Sequence, residues 1–326
     1  MSNETLATLL NLPSPLQTSI QSETDNHPVL HIKRDDLIHP ALSGNKYRKL
    51  LGQLEAFYKA RYKGIVTMGG AWSNHVHACS WLCHKLQIPL KIIIRGHEPR
   101  EYSSMLEDAL HWGAELQFVS RQDYRQLRSD YESDRQDLNT HIRNYPEYYF
   151  IPEGGRAMHV ETGMMDLAAE FEHNYDAVYM AVGTGSTLAG LCKYWSNPNT
   201  TFHGILAVDA KQSQLETINM IAPDSRVEIQ LRNEFLFGGY ARTNASLENF
   251  MARIYAELKL PLDPVYTAKA YYALCSDIDA GKYDAEDRIL FIHTGGLQGL
   301  RGFSQSVFDD IKSAVDWPLN LPFNIY

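Results

Sequence analysis

Cysteine is scarce in this chain. Four cysteines in 326 residues cannot form the disulfide framework of a small secreted domain. Basic charge is short as well: 30 Lys and Arg stand against 39 Asp and Glu, for a formal net charge of −9. With no basic block anywhere, a nucleic-acid partner is not expected. No apolar run approaches the roughly 20 residues needed to span a bilayer, so no membrane partner is expected either. The opening stretch MSNETLATLLNLPSPLQTSI has neither a basic n-region nor a long apolar segment, which argues against a secretory signal. These absences point to a reducing, cytoplasmic setting. Low-complexity linkers and solenoid-length repeats are also missing.

What is there is a repeated scheme of short apolar strand, glycine-bearing loop and helix. GIVTMGG, KIIIRG, ELQFVS and YYFIPEGG read as strands in the first half, and DAVYMAVGTG, GILAVDA and RILFIHTGG in the second. SNHVHACSWLCHKL, YSSMLEDALHWG, the charged stretch from Arg121 to Ile142, SLENFMARIYAELKL and TAKAYYALCSDIDAGK carry helical periodicity. Strands alternating with helices predict an α/β protein of two domains, each with a mostly parallel twisted sheet flanked by helices. The breaks are expected at Lys46–Leu50 and Arg156–His159. They make 50–158 a smaller inserted domain, and 1–49 with 159–326 the larger one. In such sheets ligands bind beyond the carboxyl ends of the strands, where the glycine pairs at 69–70, 154–155, 183–185 and 295–296 fall.

Gly183, Thr184, Gly185, Ser186 and Thr187 follow a strand and open a helix. Free backbone N–H groups, the helix dipole and two hydroxyls suit an anion such as a terminal phosphate. A dinucleotide fingerprint competes for the same loop, because Gly183-x-Gly185 matches its first half and Asp209 ends the next strand. Leu188 stands where its third glycine belongs. An ordinary strand-to-helix turn is the bland alternative. In GGAWSNHVHA, Ser73 is a credible N-cap, and the helix start beyond it could hold a carboxylate. Asn74 can donate and accept there. His75, Cys79 and Cys83 lie at i, i+4 and i+8, with the outer two about 12 Å apart along the axis, too far to share one metal ion. No metal is expected. Tyr240 in GGYAR and Tyr266 in DPVYTAK each sit beside a loop signal, and Thr294 in HTGG ends the last strand. Core packing and ordinary turns are the alternatives for these three.

Lys46 stands at the start of a helix whose apolar stripe is Tyr47, Leu50, Leu51, Leu54 and Phe57, with Asn45 as the N-cap and Gly64 closing the segment. A helix N-terminus is positive, so Lys46, Arg48 and Lys49 are electrostatically misplaced. One consequence is a lowered ammonium pKa, leaving more neutral amine to attack a carbonyl. The bland alternative is a surface lysine that tolerates the repulsion.

Taken together, SGNKYRKL, GGAWSNHVHA, VGTGSTLAG, GGYAR, DPVYTAK and HTGG, in that order and preceded by HIKRDDL, resemble the D-cysteine desulfhydrase and 1-aminocyclopropane-1-carboxylate deaminase family. These are fold-type-II pyridoxal-phosphate enzymes, similar in build to the tryptophan synthase β subunit, and the match covers roughly residues 30 to 300. The resemblance implies a Schiff base between Lys46 and pyridoxal 5'-phosphate and a contact of Asn74 with the ring hydroxyl. It implies a phosphate cradle from Gly183 to Thr187, and Thr267 or Thr294 near the pyridine nitrogen. Ser73, Asn74 and His75 would bind the substrate, with Ser73, also catalytic, close to it and its loop gripping the carboxylate. Tyr240 and Tyr266 would line the substrate side and take part in catalysis. A homodimer is implied too.

Within that family, cyclopropane deaminases usually carry Glu after the DPVY tyrosine and Leu before the last GG. This chain has Thr267 and Thr294, a pattern similar to the desulfhydrases. A hydroxyl at the pyridine nitrogen makes a weaker electron sink than a carboxylate, enough to expel a thiolate. The expectation is a lyase that converts D-cysteine, a small amino-acid substrate, to sulfide, pyruvate and ammonia. The alternatives are an aminocyclopropane carboxylate deaminase and, from another class, a dinucleotide-dependent oxidoreductase. Trp72 departs from the pattern by filling a place where a smaller or polar side chain is usual.

Overall fold

A computed structural model describes residues 8–19, 28–133, 139–155 and 160–315. Contacts group the chain into two compact units, one built on Lys46–Gly163 and the other on Asn11–Asn45 with Met164–Asp316. The sequence-based breaks at 49/50 and 158/159 thus compare with contact-based breaks at 45/46 and 163/164. Packing accounts for the difference. A Cβ on Gly163 would lie 1.9 Å from the Arg48 carbonyl oxygen, so the two backbones are pressed together. The expected boundary Arg156–His159 itself lies outside the described residues.

The first two described strands, β1 (Leu16–Ser19) and β2 (Val29–Lys33), belong to the second unit. The first unit follows as α1 (Asn45–Lys59), β3 (Gly64–Gly69), α2 (Asn74–Leu86), β4 (Leu90–Arg95), α3 (Ser104–His111), β5 (Glu115–Val119), α4 (Arg121–Glu132), α5 (Thr140–Arg143) and β6 (Tyr148–Ile151). Its four strands are parallel in the order β5-β4-β3-β6. Every residue of β3 is buried, as expected of a central strand covered on both faces. The long charged helix expected over 121–142 is described as α4 and α5, with 134–138 outside the described residues. α1 ends at Lys59, and Gly64 opens β3 instead of closing the helix. Arg61, at φ 58°, makes the intervening turn.

The chain then continues through α6 (Glu161–Ala169), β7 (Ala177–Val182), α7 (Ser186–Tyr194), β8 (Thr201–Leu206), α8 (Lys211–Ile221), β9 (Glu228–Arg232), α9 (Ala245–Leu258), α10 (Thr267–Asp279), β10 (Arg288–Ile292) and α11 (Asp309–Ala314). The second unit's six-stranded sheet has the order β1-β2-β10-β7-β8-β9. All pairs are parallel except β1 with β2. β7, AVYMAV, is buried throughout. Among the described residues no helix is long and apolar enough to cross a membrane.

Candidate active site

In the second unit the anion loop follows β7 and leads into α7. Gly185 is its N-cap, left-handed at φ 90°, with no side chain capping the helix. The first N–H groups of a helix have no intrahelical partner, so this turn presents donors and the positive end of the dipole. Ser186 and Thr187 are buried, and the Thr184 and Ser186 hydroxyls lie 3.0 Å apart. Gln214, on α8, donates to the Gly183 carbonyl at 2.7 Å and holds the first residue of the loop. No motif flagged Gln214. The available signal was a polar residue on the helix's buried stripe, with Thr217, Ile218 and Ile221.

Asn45 was expected to cap α1. Instead it is the first helical residue, and its side-chain amide donates to Thr187 Oγ1 at 3.1 Å. Its backbone N–H donates to the Thr294 carbonyl at 3.2 Å. This approach needs Gly44, at φ 64°, because a Cβ there would lie 1.9 Å from the Thr294 oxygen. The residue preceding Lys46 is therefore tied to the anion loop and to the end of β10.

Tyr266 stands over the loop, with its ring 3.3 Å from where a Gly183 Cβ would be. Its phenol meets that of Tyr240 at 3.2 Å. The two candidate threonines differ. Thr267 is buried, accepts the Asp263 N–H at 2.8 Å, and donates its one hydroxyl hydrogen to Asp263 Oδ1 at 3.1 Å. Asp263 in turn accepts the N–H groups of Tyr266 and Thr267 at the start of α10. Burial raises the Asp263 pKa, against the lowering effect of these hydrogen bonds. Thr267 thus builds the helix start. The Thr294 hydroxyl makes no hydrogen bond among the described residues, although it sits at the end of β10.

In the first unit Ser73 caps α2 by accepting the Val76 N–H at 3.3 Å. Asn74 Oδ1 is buried and accepts no hydrogen bond among the described residues. His75 is buried, and its Nε2 lies 2.8 Å from Thr67 Oγ1. That hydroxyl gives its hydrogen to the Ile151 carbonyl at 2.8 Å, so the imidazole must donate from Nε2. Nδ1 is then a buried lone pair with no partner among the described residues. Burial above all, and then the Lys46 and Lys49 ammoniums, lower the His75 pKa to about 3. The ring is a neutral acceptor beside the start of α1. Lys46 is half-buried there. Arg48 and Lys49 are buried, so neither faces water, and Lys49 donates to the Gly154 carbonyl at 3.1 Å. Trp72 is 45% exposed.

The remaining candidates do not gather into a site. Cys79 and Cys83 are free, buried and 4.0 Å apart. Among the described residues no cluster of three His, Cys, Asp or Glu side chains is set to hold a metal. Asp209, the acid of the dinucleotide alternative, is exposed.

Each unit therefore carries its candidate residues at the carboxyl ends of its own strands. One holds an anion cradle, a tyrosine pair and an uncommitted hydroxyl. The other holds a lysine, a capped helix start and an unpartnered amide oxygen. The uncapped turn at Gly185 fits a phosphate, and the orphaned Asn74 oxygen fits a ring hydroxyl. Both are what pyridoxal phosphate would need.

Comparison with known proteins agrees. Residues 7–295 match the family described as pyridoxal-phosphate dependent enzymes. A Pyrococcus horikoshii protein provisionally named a 1-aminocyclopropane-1-carboxylate deaminase is 29% identical over 283 residues, covering 83% of this chain and 85% of its own. The mitochondrial bifunctional D-cysteine desulfhydrase/1-aminocyclopropane-1-carboxylate deaminase of Arabidopsis thaliana is 27% identical over 318 residues, covering 90% and 78%. A crystal structure described as an ACC deaminase homologue superposes with a TM-score of 0.75 at 26% identity, covering 95% of this chain and 99% of that one.

Proposed function

The chain belongs to the family of pyridoxal-phosphate dependent enzymes, and on that premise we propose that it is a lyase acting on D-cysteine. Cysteine and water would become pyruvate, ammonia and hydrogen sulfide, with the Cα–H and Cβ–S bonds broken and the C–N bond hydrolysed. When bound, pyridoxal phosphate supplies the electron sink for the carbon that bears the substrate's amine. Lys46 would hold it covalently, residues Gly183 to Thr187 its phosphate, Asn74 its ring hydroxyl and Thr294 its pyridine nitrogen.

The protein's own work is orientation and proton transfer. The capped start of α2, with Ser73, would bind the substrate carboxylate through helix N–H groups. His75, neutral and fixed by Thr67, keeps a lone pair beside that turn. Tyr240 and Tyr266 would face the substrate side chain. Proton removal at Cα falls to the Lys46 amine, or to a base near Ser73 or a tyrosine.

One observation carries the choice of substrate. Thr267 stands where the cyclopropane deaminases are expected to have a carboxylate, and its hydroxyl hydrogen is committed to Asp263. With no carboxylate at position 267, the pyridine nitrogen would meet the neutral Thr294 hydroxyl, which suits loss of a thiolate better than opening of a carbon ring. The deaminase is the second reading, because one of these relatives is named for it alone and the other for both activities.

Assaying D-cysteine, L-cysteine and 1-aminocyclopropane-1-carboxylate side by side decides between them. Sulfide and pyruvate from D-cysteine are expected. 2-Oxobutyrate from the cyclopropane, with no sulfide from D-cysteine, would replace this reading by the deaminase. We also propose a cytoplasmic homodimer, which light scattering and cell fractionation would test.

A further inference from the structure

Lys269 is 0% exposed, yet among the described residues no carboxylate pairs with it directly. Lys33, another buried lysine of the same unit, pairs with Glu170 at 2.6 Å. Lys269 instead donates to two backbone carbonyls, Leu236 and Gly239, each at 2.8 Å. Burial lowers its pKa to about 8, with the Asp263 carboxylate acting in the opposite direction. Ammonium and amine both keep at least two N–H hydrogens, so the contacts persist on either side of that value.

The two carbonyls are not arbitrary. Leu236 O also accepts the Gly239 N–H at 3.0 Å, and Gly239 O accepts the Arg242 N–H at 3.3 Å. They are the acceptors of two consecutive turns, and one amine bridges both. The backbone of these turns is unusual: Phe237, Gly238, Gly239 and Ala241 have φ of 49°, 92°, 117° and 54°. Two of the four are not glycine and pay a steric penalty for that conformation. Phe237 packs against Tyr272, one helical turn beyond Lys269 on α10, with ring centroids 5.0 Å apart. Tyr240 sits inside the bridged segment. It is 51% exposed and has little packing of its own beyond its phenol contact with Tyr266, which opens the same helix.

We propose that Lys269 is a positioning residue, whose amine locks the strained double turn from Leu236 to Arg242 and so sets Tyr240 against Tyr266. The lock ties both tyrosines to α10, one through the helix start and one through the lysine. Its part in catalysis rests on the reading that these tyrosines face the substrate; the lock itself does not.

Native-state trypsin cleavage after the exposed Arg242 reads the lock directly in the holoenzyme. Lys269→Met should speed cleavage there about tenfold, the weight of one or two lost hydrogen bonds, with other cut sites unchanged. Lys269→Arg, which can reach both carbonyls, should restore much of the resistance. A rate within about twofold of wild type in Lys269→Met would overturn the proposal. If that variant does not fold, hydrogen exchange in the wild-type holoenzyme decides: the Gly239 and Arg242 amides should be protected, and exchange as fast as in a free peptide would overturn it. With D-cysteine, Lys269→Met should lower kcat/KM about tenfold in the wild type but less than about twofold when Tyr240 is already Phe. Equal factors in both backgrounds would show that Lys269 does not act through Tyr240. A protected Arg242 bond combined with an inert Tyr240→Phe would instead count against the tyrosine's assignment, leaving the lock intact.

Discussion

Asn45 donates its side-chain amide to Thr187 Oγ1 at 3.1 Å, one residue before Lys46. The last residue of the second unit before Lys46 is thus bonded to that unit's anion loop and does not simply cap the helix it opens. Asn45→Ala should weaken pyridoxal phosphate binding about tenfold, in line with loss of a part-buried hydrogen bond at a charged ligand's loop. Asn45→Asp should weaken it further, by placing a negative charge beside a phosphate. Titration of cofactor-free protein, followed by absorbance, measures both. Unchanged affinity in both variants would separate the loop from the cofactor.

The two threonines are expected to part company. Thr267→Val loses two hydrogen bonds with Asp263 at the start of α10 and should cost about 1–2 kcal/mol of stability, seen as a lower Tm. Thr294→Val should leave the Tm nearly unchanged and alter the absorption of bound cofactor and kcat. The opposite pattern would transfer the pyridine contact to Thr267.

Ser73 has two jobs that substitutions can separate. Ser73→Ala loses the cap on Val76 and should cost about 1 kcal/mol, together with activity. Ser73→Asp keeps a helix cap but repels a substrate carboxylate. It should hold the Tm and lower kcat/KM more than about a hundredfold, since like charges at a desolvated contact cost several kcal/mol. Activity in Ser73→Asp close to that of the wild type would remove the carboxylate from this turn.

Acid should destabilise the fold through two buried histidines. Burial holds the His75 pKa down to about 3 and the His203 pKa down to about 4, with Lys282 and Arg232 adding to the effect at His203. An unfolded histidine takes up its proton near 6.5. Between that value and the folded ones the unfolded state binds more protons, so stability falls as pH falls. His75→Gln can keep the donor to Thr67 and should flatten part of the slope of stability against pH from 6.5 down to about 4; His203→Gln should flatten another part. Chemical denaturation at a series of pH values tests this, and slopes equal to wild type in both variants would refute it.

Much of this was legible in the sequence. The buried strands read directly as unbroken apolar runs, as in GIVTMG and AVYMAV, and the glycine loops marked the ends of the sheets. The helix cap at Ser73 was legible because it uses a partner three residues away. β1 and β9, LQTS and EIQLR, were not, since short strands with polar residues carry little periodic signal. Neither was the aim of Asn45. Its amide bonds a residue 142 positions away, and nothing local distinguishes that from a cap. Thr267 and Thr294 looked alike for the same reason: only the fold reveals that one hydroxyl is committed to Asp263. Arg48 and Lys49 read in the sequence only as misplaced charges at a helix start, and both are buried. Gln214 and Lys269 were visible only as polar residues on apolar helix faces.

Lys46 is the residue proposed to carry the cofactor. Purified holoenzyme reduced with borohydride, digested and examined by mass spectrometry tests it directly. The peptide containing Lys46 should gain the mass of a reduced pyridoxyl phosphate group, and Lys46→Ala should show no such gain on any peptide. The added mass on another lysine, or none in wild-type protein that holds bound cofactor, would rule out Lys46 as the cofactor's attachment.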